Sequence, residues 1–152
     1  MHRTTRTAAV AGALCTAAIP ALVATPASAA PAATQLCSIS YPNPNLMALY
    51  ASSVATAESA GTGRVTLRLV TDAKSIIGYR QQFRVVWSNL DTGKSGVANT
   101  TARVAGSRTV LSLPPITTGT GRITAVLGTT NTGALNPQAI TNGDCVAEYP
   151  VR

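Results

Sequence analysis

The chain of 152 residues is poor in the groups that do most enzyme chemistry. It has one histidine, His2, one tryptophan, one phenylalanine and only 5 acidic residues. His2 stands in an N-terminal segment expected to be cleaved, so the rest of the chain has no imidazole for a general base, a triad or a metal. With so few aromatics there is no stacking platform beside the arginines, which argues against single-stranded nucleic acid as a partner. The five carboxylates are Glu58, Asp72, Asp91, Asp144 and Glu148. None has the spacing of a calcium loop. A hydrolytic pair such as Asp72 with Asp144 would have to be assembled by the fold, since the sequence does not bring them together. Beyond residue 30 there is no apolar run long enough to span a bilayer.

The N-terminus is different. Met1 to Arg6 carries two arginines and no acid, Thr7 to Ala24 is apolar and uncharged, and Thr25 to Ala30 is small throughout. A basic head, an apolar middle and a small-x-small end make up a secretory signal. Ala27 and Ala29 supply the small −3 and −1 side chains, so residues 1–29 are expected to be cleaved, carrying Cys15 with them. The Ala-rich, Arg-tipped signal is of bacterial type. The expected location is secreted or extracellular, with cell-wall association a candidate and no membrane attachment after cleavage.

Beyond Ala29 the chain holds 10 Lys+Arg against 5 Asp+Glu and two cysteines, Cys37 and Cys145. An even cysteine count in an exported chain reads as a disulfide. Closing a loop of this length contributes on the order of 4–5 kcal/mol in the chain-entropy account. Two cysteines without histidine cannot fill a zinc site, and no cofactor is implied.

Residues 30–45 read as an extended leader or arm, because Pro42 and Pro44 lack donors. Residues 46–152 read as a single domain. Over 46–58 the pattern fits two structures. Leu46, Leu49, Tyr50, Ser53, Val54 and Ala57 recur at helical spacing, and the same segment can form a first strand. Beyond Gly61 the period is two. Val65, Leu67 and Leu69 alternate with Thr66 and Arg68. Phe83, Val85 and Trp87 alternate with Gln82 and Arg84 and are read as core anchors. Ala98, Ala102 and Val104 alternate with Asn99, Thr101 and Arg103, and Ile123, Ala125 and Leu127 with Arg122 and Thr124. Residues 128–144 read as a long polar loop before a last strand. Six or seven short alternating strands predict an all-β antiparallel sandwich with one disulfide and, at most, a short N-terminal helix. In its order of strands the pattern resembles an immunoglobulin-like or fibronectin-like sandwich.

Glycines at Gly61-Thr62-Gly63 and Gly119-Thr120-Gly121 lead into strands rather than helices, which excludes a phosphate cradle. Lys74-Ser75 and Lys94-Ser95 lack the helical spacing of a Ser-Lys nucleophile. The one constellation that suggests a site is Arg68, Arg84, Arg103 and Arg122, each on the wet side of its strand. On neighbouring strands they would form a basic face for carboxylate or phosphate groups. The same arginines also serve to keep strand faces solvated. The expected function is therefore a non-catalytic exported binding domain. Its candidate partners are an anionic envelope polymer or an extracellular protein. The alternative is a secreted inhibitor of an extracellular enzyme, presenting Leu113-Pro114-Pro115-Ile116 or residues 129–138 as its loop.

Overall fold

The computed structural model describes residues 32–152. The expected signal segment and its cleavage residues, Ala27 and Ala29, lie outside the described residues. The described residues form nine strands: β1 (Thr34–Asn43), β2 (Leu46–Ser59), β3 (Arg64–Asp72), β4 (Tyr79–Asn89), β5 (Ser95–Val104), β6 (Thr109–Ser112), β7 (Ile116–Thr117), β8 (Gly121–Thr132) and β9 (Ile140–Val151). They make two antiparallel sheets. The first runs β1-β2-β3-β6, with β7 also on β3, and the second runs β5-β4-β8-β9.

The sheets face each other across the residues that the period of two placed inward. Val65, Leu67 and Leu69 of β3 meet Phe83, Val85 and Trp87 of β4 and Ile123, Ala125 and Leu127 of β8 in one buried cluster. The three β4 side chains are 0%, 0% and 8% exposed. Trp87 fits because its cross-strand neighbour is Gly96, where a Cβ would stand 2.9 Å from the indole ring.

One open alternative is decided and two readings need correction. Residues 46–58 are strand, not helix. Ala51, Ser53, Ala55 and Ala57 are buried and alternate with less buried neighbours, while Leu46, Leu49 and Tyr50, which gave the helical spacing, are exposed. The small inward residues of β2 carry almost no hydrophobic signal. The supposed leader contains β1, which pairs with β2 from Thr34↔Ala57 to Asn43↔Leu46. Its Pro42 is tolerated because β1 is an edge strand. The supposed loop 128–144 is mostly hairpin. β8 and β9 stay paired as far as Thr132↔Ile140, leaving only residues 133–139 between them. Its inward positions, Thr129, Asn131 and Thr141, are buried but polar, so a hydrophobic pattern missed them.

Those polar residues belong to a second part of the interior. Gln81 Nε2 donates to Tyr41 Oη at 2.6 Å and to Asn131 Oδ1 at 2.9 Å, and Thr71 Oγ1 donates to Gln81 Oε1 at 2.6 Å. Tyr41 Oη also lies 3.0 Å from both Ser53 Oγ and Tyr79 Oη. Buried amides and hydroxyls are tolerated only when paired in this way. Cys37 of β1 and Cys145 of β9 form a disulfide, with Cα atoms 6.4 Å apart, joining the first sheet to the second.

Candidate functional site

Because β5, β4, β8 and β9 are in continuous register, their outward side chains form rows across the second sheet. The end row is Arg103, Arg80, Thr132 and Ile140. The next is Thr101, Gln82, Thr130 and Asn142, followed by Asn99, Arg84, Gly128 and Asp144. Then comes a row of valines, Val97, Val86, Val126 and Val146, which are 41–63% exposed.

The first two rows border a depression. Its larger part, about 500 Å³, is lined by Gly78, Tyr79, Arg80, Thr101, Ala102, Arg103, Thr132, Gly133, Ala134 and Pro137. A shallower part of about 250 Å³ continues over Arg80, Gln82, Thr101, Thr130 and Thr132. The two share Arg80, Thr101 and Thr132, so they form one groove. Small residues at 78, 102, 133 and 134 keep it open. Arg103 lies across Gly78, where a Cβ would stand 2.7 Å from its Nε.

Arg80 and Arg103 are direct cross-strand partners. Like charges directly opposite on a sheet destabilise it. Among the described residues, Arg80, Arg84 and Arg103 have no carboxylate within salt-bridge distance, whereas Arg68 pairs with Glu58 at 2.9 Å, Lys74 with Asp72 and Arg122 with Glu148 at 3.6 Å. The groove therefore offers two uncompensated guanidinium forks above three threonine hydroxyls and one carboxamide. The guanidiniums can hold carboxylate or phosphate bidentately, and the hydroxyls and amide can hydrogen-bond a polyol. The lining includes no carboxylate, histidine or cysteine, so it offers binding groups without an acid-base pair.

The four arginines singled out in the sequence do not form one face. Arg84 and Arg103 share the outer face of the second sheet. Arg68 lies on β3 of the first sheet. Arg122 lies at the far end of β8, opposite Pro150, six residues along that strand from the Gly128 that faces Arg84. Arg80 completes the groove and has the same parity as Gln82 and Arg84, a signal the sequence contained. The Asp72–Asp144 pairing is not formed, since these residues point outward from opposite sheets. Among the described residues, no group of three or more His, Cys, Asp and Glu is placed to hold a metal.

Asp72 has its carboxyl held below its ordinary range by hydrogen bonds from the Lys74 side chain and backbone. It is a turn anchor: Asp72 Oδ1 accepts from the Lys74 amide at 3.1 Å, and Lys74 sits at a positive φ of 51°. Comparison with protein-family models, with curated proteins and with solved structures gives no match.

Proposed function

We propose that this is an exported, non-catalytic binding domain of the cell envelope or the medium. Its groove over Arg80 and Arg103 would take an anionic, hydroxyl-rich polymer. The observation that carries the reading is the cross-strand Arg80–Arg103 pair without a counter-ion. A sheet that tolerates this repulsion gains from it when an anion arrives. The threonine and glutamine row beside the pair favours a glycan bearing carboxylate or phosphate over a bare anion. The signal-like N-terminus and the disulfide agree with an oxidising compartment outside the cytosol.

The strand order also supports an immunoglobulin-like or fibronectin-like reading of the sandwich. β2-β3-β6 beside β5-β4-β8-β9 follows the arrangement A-B-E beside C′-C-F-G, with β1 added outside the first strand. The inhibitor alternative gains less. Leu113 is only 2% exposed, and residues 129–132 belong to β8 with Thr129 and Asn131 buried. Of the two proposed inhibitory loops, only Pro114, Pro115 and residues 134–138 remain outside strands and accessible.

The test is co-sedimentation with cell walls from the protein's own source at low and at high salt. Wild type should bind at low salt and release at high salt. Arg80→Gln with Arg103→Gln should lower binding by tenfold or more, while Arg68→Gln on the other sheet should leave it within about twofold. Equal binding by all three proteins would remove the groove from the account.

A further inference from the structure

The end of the sandwich that carries the β1–β2, β3–β4, β5–β6 and β8–β9 connections is built unlike the other end. Asn45 gathers three of these connections. Its Nδ2 donates to Ile77 O at 3.0 Å and Gly78 O at 3.2 Å, and its Oδ1 accepts from Ala134 N at 2.7 Å and Leu135 N at 3.2 Å. Gly133 makes this approach possible, since a Cβ there would stand 2.9 Å from Pro44 O. Around this polar clasp the loops present large apolar side chains to solvent. Ile76 is 94% exposed, Leu135 65%, Met47 57% and Leu46 44%, and Tyr50 on the adjoining start of β2 is 63% exposed.

Cations outnumber acids at this end. Lys74, Arg80, Arg103 and Arg108 lie on its loops or on the last strand residues beside them, and the one acid among these loops is Asp72, already bound to Lys74. The turn bearing Arg108 is tied to the same cluster, because Ala73 N donates to Gly106 O and Gly106 N to Ser75 O, both at 2.8–2.9 Å. The opposite end is mixed in charge, with Asp91 and Glu148 among Arg64, Lys94 and Arg122.

We propose that this loop end docks on an anionic lipid surface, with Ile76, Leu135, Met47 and Leu46 entering the interfacial region and the cations meeting the headgroups. Two observations converge on that occupant. Ile76 and Leu135 stand on separate loops and Leu46 and Met47 open β2 beside a third, where a bilayer interface, which is fluid, accepts them without a matching pocket. The surrounding charge is predominantly cationic, with Asp72 its one acid, and anionic lipids attract Lys and Arg held close to the surface. Tyr50 has the ring and hydroxyl that favour the interface. This is adsorption to a surface and requires no spanning segment, and it departs from the expectation of no membrane attachment after cleavage. It also goes beyond the polymer groove, because its apolar residues line no part of that groove.

The test is flotation with vesicles of phosphatidylcholine alone and of phosphatidylcholine with phosphatidylglycerol, using the chain from Ala30 onward, which contains all nine strands and both bridged cysteines. Binding should require phosphatidylglycerol. Ile76→Ser with Leu135→Ser should lower partitioning by tenfold or more, and Lys74→Gln with Arg108→Gln should lower it about fivefold for each cation removed. Both double variants should keep the wild-type Tm and the wild-type binding to cell walls. Three results would each overturn the proposal: no binding to phosphatidylglycerol vesicles, equal binding to neutral vesicles, or binding that ignores the loss of Ile76 and Leu135. Arg80 and Arg103 belong to both surfaces, so their loss should weaken wall and vesicle binding alike; Ile76→Ser with Leu135→Ser touches the vesicle arm alone and lets the two readings fail separately.

Discussion

At the scale of single residues, the polar half of the interior is the least expected part of the molecule. Gln81 falls on the inward parity of β4, next to Phe83 and Val85, and a hydrophobic pattern treats it as a blemish. Its amide instead joins Tyr41, Thr71 and Asn131 across both sheets. Burial, reinforced by the hydrogen bond with Tyr41, pushes the Tyr79 phenol far above its ordinary value of 10.0. In the native state Tyr79 therefore keeps its proton at a pH where the unfolded chain releases it. Its contribution is present below pH 10.0 and is lost as the pH rises beyond it. The expected outcome is a Tm that falls above that pH in wild type and falls less steeply in Tyr79→Phe. Thermal unfolding monitored across the alkaline range checks this. At neutral pH the same variant loses one neutral hydrogen bond, worth about 1 kcal/mol.

At the scale of elements, the strands that sequence located well are those whose inward positions are large and apolar: β3, β4 and the first half of β8. Those it blurred are β2 and the β8–β9 hairpin, whose inward residues are largely alanine, serine, threonine and asparagine, and β1, where Ile39 and Tyr41 point inward but Pro42 and Pro44 mask the strand. The pairing of such strands is decided by partners far away in sequence, which one-dimensional periodicity does not contain. The groove was half legible for the same reason. Parity put all four arginines on wet faces, but the topology placed Arg68 on the other sheet, Arg122 stands at the far end of β8 on the same outer face, and of the four only Arg103 lines the groove.

Asparagines hold the ends of these elements. Asn43 Oδ1 accepts from Asn45 N and Leu46 N while its Nδ2 donates to Ala73 O. Asn89 does the same at the opposite end, accepting from Asp91 N and Thr92 N and donating to Thr118 O and Thr120 O. Asn89 is fully buried. Asn89→Ala leaves backbone groups of two connections without partners, and a loss of about 2–4 kcal/mol in chemical denaturation is expected. Faster hydrogen exchange at the Asp91 and Thr92 amides would accompany it.

At the scale of the whole molecule, β1 and β9 meet along one long side and are joined by Cys37–Cys145, with 108 positions of sequence separation. The sequence predicted this bridge from cysteine count and compartment. What it could not supply was that the bridge joins the outermost strands of two different sheets. Replacing both cysteines with alanine should lower unfolding stability by about 3–5 kcal/mol. The comparison to make is of denaturant midpoints for the wild-type protein and the double variant, both in oxidising buffer.

The position of that bridge also decides how the protein bears load. A pull applied at Thr34 and Val151, the outer ends of β1 and β9, reaches Cys37 within three residues, crosses the sulfur–sulfur bond and leaves through Cys145. The 108 positions between them, roughly 370 Å of chain if drawn straight, lie outside the path of the force. Tethered at one end to a surface and tugged at the other, the oxidised molecule lengthens only by its short terminal arms, and the groove and loop tips keep their shape under tension.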